Sequence, residues 1–168
     1  MSDDGLKAAL AALDIAWRCH EHPAVFTVEE SEGVHAAMPG AHTKNLFLKD
    51  AGGQFWLVTV DHATSVDLKA LAGVIGAKKL SFGKPEPMLE LLGLTPGSVT
   101  PLAALNDKGG AVKVVIDARL ALADAVNVHP LRNTATIALS GADLLRALEA
   151  WGHKAIVARI PERQAQPA

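Results

Sequence analysis

Residues 46–60 read LFLKDAGGQFWLVTV and carry the clearest structural pattern in this chain. Two apolar runs, residues 46–49 and 54–60, are separated by Asp50-Ala51-Gly52-Gly53. A short glycine-containing segment between apolar runs is typical of the turn that joins two antiparallel strands. The stretch therefore predicts a β-hairpin, around which the other elements are placed.

Before the hairpin, the pattern predicts two helices with a strand between them. Leucine and alanine recur at helical spacing over residues 2–13, and a strand is expected over residues 15–21. Thr27 and Glu30 have the spacing of a capping box, which predicts a short helix from Thr27 to about residue 35.

After the hairpin, helices and strands alternate without an internal repeat. Helices are predicted over residues 67–75 and 85–92 and, after a cap at Ser140, up to Gly152. Further strands are predicted over residues 112–117, 121–128, 134–138 and 154–160. The pattern favours a single α+β domain, with flanking helices on a mixed, curved, barrel-like sheet of about seven strands.

Composition and charge restrict the class of protein. With 168 residues, 49% hydrophobic and 20% charged, the chain has the length and apolar content of one globular domain. We expect this domain to cover residues 1–160 and the polar segment 161–168 to form a flexible tail. The acidic N-terminus and the lack of a long apolar segment predict a cytoplasmic protein with no membrane contact. A net charge of −2 argues against extensive nucleic-acid binding, but a single terminal nucleotide needs only one or two cations.

Several kinds of catalytic site find no support in the sequence. Cys19 is the single cysteine, and we expect an inert buried thiol in a strand. The seven histidines show no metal-ligand spacing, and His20 and His22 are expected at the surface, so we predict no metal. The chain has no phosphate-binding loop, dinucleotide fingerprint or serine nucleophile elbow, and we predict no cofactor.

Lys44 and Asn45 form a candidate site where the chain enters the hairpin. A lysine beside an amide supplies a cation and a two-way hydrogen-bonding group, which suit a phosphate or a developing oxyanion. Solvated turn residues are the alternative interpretation of this pair. The loop Gly97–Pro101 is, taken alone, only a turn.

Four stretches in a fixed order make the combination more specific than any one of them. They are EHPAVFTVEE at residues 21–30, PGAHTKNLFL at 39–48, GSVTP at 97–101 and VHPLRNT at 128–134. Together they resemble the YbaK-like prolyl-tRNA editing family of aminoacyl-tRNA deacylases, and within it the free-standing Ala-tRNA(Pro) deacylases of the ProX type. The likeness covers nearly the whole chain.

The resemblance implies a hydrolase that edits in trans. Its substrate would be the acceptor end of proline tRNA mischarged with alanine, and prolyl-tRNA synthetase is a second candidate partner. The physical need for such an enzyme follows from size, because a synthetase pocket that accepts proline discriminates against a smaller side chain by only about 1–3 kcal/mol per methylene.

The resemblance also implies roles for particular residues. Lys44 would hold the terminal phosphate or oppose charge on the ester carbonyl, and Asn45 would fix a substrate oxygen or the attacking water. His129 would orient the substrate or the loop, or act as a general base. The backbone of the glycine loop would hold the α-ammonium and limit the size of the pocket; its members are Gly97, Ser98, Val99, Thr100 and Pro101. Because an ester is already activated, positioned water beside a ribose hydroxyl would suffice.

The sequence leaves several alternatives to this assignment open. The amino acid removed can be cysteine or serine instead of alanine, and Leu102 stands where many relatives have phenylalanine, which affects packing or pocket breadth. A non-catalytic module that binds aminoacyl-tRNA is a different class of function, and a Lys44 that is merely solvated is the simplest alternative. Five cations are expected on a solvated face, with the acceptor stem as their alternative partner: Lys78, Lys79, Lys84, Arg132 and Lys154.

Overall fold

The computed structural model describes residues 3–24 and 28–163, which include six α-helices, one 3₁₀ helix and eight strands. The helices are α1 Asp3–Ala12, α2 Val28–Ala37, α3 Leu68–Ile75, α4 Pro85–Leu92, α5 Ala118–Ala121 and α6 Gly141–Ala150, and the 3₁₀ helix is Pro101–Asn106. The strands are β1 Arg18–Glu21, β2 Ala41–Asp50, β3 Phe55–Asp61, β4 Leu80–Phe82, β5 Val112–Asp117, β6 Val126–Val128, β7 Ala135–Leu139 and β8 Ile156–Ala158.

The predicted hairpin forms the middle of the sheet. Strands β2 and β3 pair antiparallel from Thr43 opposite Asp61 to Lys49 opposite Phe55. The strand order is β1-β7-β6-β2-β3-β5-β8, with β4 also paired to β2. Parallel pairs (β2 with β6, β3 with β5, β5 with β8) accompany the antiparallel ones, so the sheet is mixed, as predicted. Among the described strands, β1 and β8 at the two ends of this order do not pair with each other, so the sheet is not closed into the barrel-like form that was expected.

Strand β2 has an interrupted second edge. Away from β3, it pairs with β6 at Ala41 and His42 and with β4 at residues 48–50. Residues 43–47 lie between these two partners and have no strand beside them on that edge. At this gap the Asn45 side chain contacts a loop from another part of the chain, at Val99 O.

Helices cover both faces of the sheet. Successive residues of a strand point to opposite faces, and Val114 and Ile116 of β5 pack in the core beneath α1 and α6. Val115, between them, packs in a second core cluster with α3. Leu102 is completely buried in the first cluster, and the 14 described residues that line the candidate pocket do not include it, which favours a role in packing.

Three sequence expectations differ from the structure. Strand β4 was not predicted, because three residues are too short to show alternation. The strand expected over residues 121–128 is confined to β6. Its first expected residue instead ends the short helix α5, which Asp117 caps by accepting from Arg119 N at 2.9 Å. Cys19 is exposed, so the expectation of a buried thiol is wrong; β1 is an edge strand whose side chains are mostly uncovered.

Near the N-terminus one predicted feature lies outside the described residues, and at the C-terminus the ordered pairing extends past the predicted boundary. The proposed capping box falls on Thr27 and the side chain of Glu30, outside the described residues. At the C-terminus, Arg163 N donates to Ser65 O at 2.7 Å and Glu162 forms a β-bridge with Val66, so pairing continues past residue 160. Residues 164–168 of the expected tail are not described. Within residues 3–24 and 28–163, no helix has the length and apolar character needed to cross a membrane.

Candidate active site

A pocket of about 340 Å³ lies at the gap in the edge of β2. It brings together five of the residues singled out from the sequence: Lys44, Asn45, Gly97, Val99 and His129. These come from β2, from the loop before the 3₁₀ helix and from the loop after β6. The remaining described lining residues are His22, Val34, His35, His42, Thr43, Asn127, Val128, Asn133 and Thr136.

Lys44 lies within β2 and not in the loop before it. Its partner in the register is Val60 of β3, one pair in from the open end of the hairpin, where the chain enters it as expected. Within the described part of the chain, no carboxylate forms an ion pair with its ammonium. The described lining of the pocket also contains no carboxylate. An uncompensated cation in such a pocket attracts an anionic group or a developing oxyanion.

Asn45 connects β2 to the glycine loop. Its Nδ2 donates to Val99 O at 3.1 Å, and its Oδ1 accepts from Thr59 Oγ1 on β3 at 2.6 Å. These two bonds fix the orientation of the amide and hold the loop against the strand. One N–H of Asn45 is not used by them and can reach a substrate oxygen.

The glycine loop divides into a pocket-facing part and a buried part. Gly97, with φ of +96°, and Val99 line the pocket. Ser98 and Thr100 are buried behind the wall, and Thr100 Oγ1 accepts from Leu102 N at 3.3 Å as the cap of the 3₁₀ helix. Pro101 is the first residue of that helix and does not line the pocket. The side chains of Ser98 and Thr100 therefore support the shape of the loop, and Gly97 and Val99 are its members that line the pocket.

His129 is held in one tautomer. Its Nδ1 lies 3.4 Å from Ala135 O, and because a carbonyl only accepts, Nδ1 carries the proton. Burial lowers the pKa of His129, and the neighbouring His22 lowers it further, against the opposing effect of the Ala135 bond. A neutral imidazole with a proton on Nδ1 presents Nε2 as a hydrogen-bond acceptor. This arrangement suits a group that takes a proton or orients a hydroxyl.

His22 belongs to the pocket wall, although the sequence suggested a surface position. Its Nδ1 donates to Pro23 O at 2.8 Å, and Thr136 Oγ1 lies 2.9 Å from its Nε2. The position lies within one of the four stretches that carry the family resemblance, as do His42, Thr43 and Asn133. The sequence analysis did not single out these four residues for the site; their shared location in those stretches is the signal that could have found them.

Three histidines cluster at the end of β2 where α2 packs. The ring centroids of His35 and His42 are 4.0 Å apart, and His62 approaches His35 edge-on at 4.5 Å. His42 Nε2 donates to Met38 O at 2.7 Å, which ties the chain after α2 to β2. Burial lowers the pKa of His35, and the two neighbouring histidines lower it further. Among the described side chains, no group of three or more metal-ligating residues has a geometry that would hold a metal ion.

The loop that carries His129 is anchored on both sides. Leu131 has a φ of +70° and packs against two core clusters. Arg132 contacts Asp3 at 2.8 Å and Glu21 at 2.6 Å. The expectation of a solvated face for Arg132 is therefore wrong, because its guanidinium joins the loop to α1 and β1.

Comparison with known proteins shows the family to which the chain is similar. The family model described as an aminoacyl-tRNA editing domain matches residues 22–147. The chain is 40% identical over 157 residues to the prolyl-tRNA editing protein ProX of Acetoanaerobium sticklandii, covering 91% of this chain and 96% of that protein. It is 41% identical over 157 residues to the prolyl-tRNA synthetase associated domain-containing protein 1 of Bos taurus, covering 90% of this chain and 91% of that protein.

A solved structure supports the fold assignment. The crystal structure of a candidate trans-editing enzyme for prolyl tRNA synthetase superimposes with a TM-score of 0.73 over 97% of this chain and 99% of that one, at 23% identity. At that identity the likeness concerns the fold alone. The family match and the curated relatives, with the pocket at the edge of β2, lead to one conclusion: the chain belongs to the aminoacyl-tRNA editing domain family and is an aminoacyl-tRNA deacylase.

Proposed function

We propose that this chain hydrolyses Ala-tRNA(Pro) in trans, releasing alanine from a tRNA that prolyl-tRNA synthetase has mischarged. The observation that carries the proposal is the Lys44 ammonium, which stands without a counter-charge among the described lining residues of a pocket of about 340 Å³. The names of the relatives from Acetoanaerobium sticklandii and Bos taurus support a prolyl-tRNA substrate.

The proposed reaction is attack of water on the ester carbonyl. Water adds to the carbonyl carbon, a tetrahedral oxyanion forms, and the bond to the ribose oxygen breaks to leave free alanine and tRNA. Lys44 stabilises the oxyanion or holds the terminal phosphate. Neutral His129 accepts a hydrogen bond through Nε2 from the attacking water or from a ribose hydroxyl. The proton that the attacking water gives up passes through Nε2 of His129 or directly to the ribose oxygen, which leaves as a hydroxyl, so that the step balances.

Selection for a small amino acid is proposed to depend on the rigidity of the glycine loop. Asn45 holds Val99 O at 3.1 Å, so the loop cannot move away from β2 without breaking that bond. A wall fixed in this way excludes a larger side chain by steric repulsion, which discriminates more strongly than the loss of a methylene contact. Asn45 is accordingly proposed as a positioning residue whose remaining N–H faces the substrate.

The test is deacylation of Ala-, Cys-, Ser- and Pro-tRNA(Pro) by the wild type, Lys44→Met and Lys49→Met. Lys49 is the matched control, because it lies on the same strand, is exposed and stands over the ring of Phe55 outside the pocket. We expect kcat/KM on Ala-tRNA(Pro) to fall about 10²–10³-fold in Lys44→Met, as for removal of an oxyanion donor, and to stay near wild type in Lys49→Met.

The outcomes separate the competing functions. Release of cysteine or serine instead of alanine would keep the deacylase and change its substrate. Binding of Ala-tRNA(Pro) without hydrolysis would favour the non-catalytic module. Equal activity of Lys44→Met and Lys49→Met, with thermal melts matching the wild type, would remove Lys44 from the mechanism.

A further inference from the structure

Phe82 of β4 is an exposed aromatic residue that the site described so far does not use. It is 65% exposed, whereas Phe47 is 3% exposed and Phe55 packs partly buried against the same core cluster. Single apolar side chains on a protein surface are common. What distinguishes Phe82 is its position relative to the candidate active site.

The pairing of β4 with β2 places Phe82 on the same face of the sheet as Lys44. Phe82 lies directly opposite Leu48, and directly opposed residues of antiparallel strands project to the same face. Lys44, Leu46 and Leu48 are spaced two residues apart along β2, so their side chains also share a face. Leu46 and Leu48 both pack with α3, as this alternation requires.

The uncovered stretch of β2 extends from the active site to Phe82. Residues 43–47 have no strand beside them on that edge, and β4 ends with Phe82 at the border of this gap. Four residues of extended strand separate Lys44 from Leu48, a distance of about 13 Å. At 3.4 Å or more per nucleotide, this distance is spanned by about four nucleotides or fewer. It therefore lies within the length of the unpaired 3′ end of a tRNA.

The backbone that carries Phe82 is fixed against β2. Gly83 N donates to Phe47 O at 2.8 Å, which continues the pairing one residue beyond β4. A Cβ on Gly83 would overlap the ring of Phe47, so the close approach of the two segments requires glycine here. The chain then enters α4 at Pro85. Phe82 thus projects from a paired segment and not from a loop.

Lysines flank Phe82 along the chain. Residues 78–84 read KKLSFGK and contain three exposed lysines and no carboxylate: Lys78, Lys79 and Lys84. Within the described part of the chain, none of the three forms an ion pair. The nearest acidic residue along the chain is Glu86, in the first turn of α4. Proteins that bind single-stranded nucleic acid combine an aromatic ring, which stacks on a base, with cations that attract the phosphates.

We propose that the ring of Phe82 stacks on an unpaired base at the acceptor end of the tRNA substrate, with the lysines of residues 78–84 close to the phosphates. The inference rests on the proposed function and deepens it, because it names the surface that receives the RNA. Stacking on an aromatic ring tolerates any base. Phe82 therefore supplies affinity and directs the 3′ end toward Lys44, whereas the amino acid is selected in the pocket.

The first experiment measures deacylation of Ala-tRNA(Pro) by Phe82→Ala, Phe82→Leu and Phe82→Trp. Loss of one base stack predicts a rise in KM of about 5–100-fold in the alanine and leucine variants, and tryptophan should restore the wild-type value. Leu89→Ala is the matched control, because Leu89 is 59% exposed on α4 and does not line the pocket. A leucine variant equal to the wild type would mean that apolar contact suffices, and the proposal would be wrong.

A second experiment changes the RNA, so that it does not depend on the stability of a variant alone. A fluorescent acceptor-stem hairpin of proline tRNA is made with an abasic nucleotide at each unpaired 3′ position in turn, and binding is followed by anisotropy. Wild-type protein should bind one of these hairpins about 5–100-fold more weakly than the intact one. Phe82→Ala should bind both within about threefold. If every abasic change weakens the two proteins equally, the bases stack elsewhere and the proposal is overturned.

The salt dependence of hairpin binding separates the ring from the lysines. Stacking releases no counterions, so Phe82→Ala should weaken binding by the same factor at every salt concentration. Lys84→Ala should reduce the slope of log Kd against log salt by about 0.7, the value for one phosphate contact on a single strand. A reduced slope in Phe82→Ala would assign its effect to a disturbed charged surface and contradict stacking.

Failure of this proposal and failure of the proposed function give different results. Hairpin binding needs no hydrolysis, so wild-type protein that fails to deacylate Ala-tRNA(Pro) contradicts the proposed function, whereas the anisotropy comparison still tests Phe82. Wild-type protein that deacylates Ala-tRNA(Pro), together with a Phe82→Ala variant that matches it in KM and in hairpin affinity, would keep the proposed function and remove Phe82 from RNA binding.

Discussion

Asn45 illustrates how one side chain can link the strand and the loop of a site. Its amide nitrogen donates a hydrogen bond to Val99 O, and its amide oxygen accepts one from the hydroxyl of Thr59. Thr59 is completely buried, so its hydroxyl needs that partner. The sequence identified Asn45 as chemically important, and the contacts favour a role in positioning the loop.

Replacement of Gly97 by alanine tests the conformation of that loop. A residue with a Cβ in the left-handed region costs about 1–2 kcal/mol, so Gly97→Ala is expected to lower the free energy of unfolding by that amount. The strained backbone would also move the pocket wall, and a displacement near 1 Å costs about 10²-fold in rate. Urea denaturation and deacylation of Ala-tRNA(Pro) measure the two effects.

Gly53→Ala is the matched control for Gly97→Ala. Gly53 has a φ of +90° in the turn between β2 and β3, and nothing lies within 4 Å of a Cβ added there. It should lose similar stability and retain wild-type activity. Loss of activity in both variants, in proportion to their stability, would show that the Gly97 loop has no special part in catalysis.

Strand β2 determines where the pocket lies. Strand β2 has ten residues and is longer than either strand beside it on the edge away from β3. On that edge β6 pairs with one end of β2, and β4 pairs with the other. At the uncovered residues 43–47, the Asn45 side chain bonds to the backbone of the glycine loop at Val99, and loops can present backbone groups that a paired strand cannot. The position of the site thus follows from the unequal lengths of neighbouring strands.

Helix α6 shows an element whose boundary is set locally. The sequence predicted a cap at Ser140, and the prediction is confirmed: Ser140 Oγ accepts from Asp143 N at 3.1 Å. The apolar side of α6, with Leu144 and Leu148 completely buried, packs in the core below the sheet. Neither residue lines the candidate active site.

Removal of that cap should affect stability and not activity. Ser140→Ala is expected to cost about 1 kcal/mol in the free energy of unfolding, because one N–H of the first turn loses its acceptor. Ser140→Asp should recover most of the loss, since aspartate caps equally well. Chemical denaturation measures the stabilities, and the deacylation rate per folded molecule should stay constant; a large drop in that rate would connect α6 to the active site.

Arg132 joins parts of the molecule that are distant in sequence. Its guanidinium donates to Asp3 at the start of α1, to Glu21 at the end of β1 and to Thr134 before β7. Lysine lacks the planar fork that makes these bonds together. Arg132→Lys is therefore expected to lower Tm by about 2–4 °C, a modest loss because the pairs are partly exposed to solvent.

The effect of Arg132→Lys should depend on pH. Burial raises the pKa of Asp3, but the hydrogen bond and charge of Arg132 outweigh it, and the hydrogen bond from Arg132 lowers the pKa of Glu21. Both carboxyls then stabilise the fold above their ordinary values of 3.8 and 4.5, and this contribution is lost as the pH falls through the lowered pKa values.

Thermal melts of the wild type and Arg132→Lys at pH 7 and near pH 3 test this linkage. The Tm difference should be present at pH 7 and should shrink as the pH falls and the carboxylates become protonated. Arg159→Lys is the control, because Arg159 directly follows β8 and is exposed. The Tm of this variant should equal that of the wild type at either pH. A Tm difference that is constant with pH would mean that packing, and not charge, is what arginine contributes.

Local patterns in the sequence predicted most of the fold. Apolar runs and glycines predicted the hairpin, the helices predicted over residues 67–75 and 85–92 correspond to α3 and α4, and the predicted cap at Ser140 marks the start of α6. The errors fell on short or edge elements, at β4, at α5 and at Cys19. There the outcome depends on which neighbours cover a segment, and its own residues do not encode that.

The amino-acid sequence alone established the hairpin, the order of the elements and the family, because these depend on spacing along the chain. Only the folded arrangement brought Lys44, Gly97 and His129 to one pocket and fixed the Asn45 amide on the loop. The physical reason is that the pocket forms where strands of different length leave an edge of β2 uncovered. That edge is a property of the pairing between segments, and it exists only once they have come together.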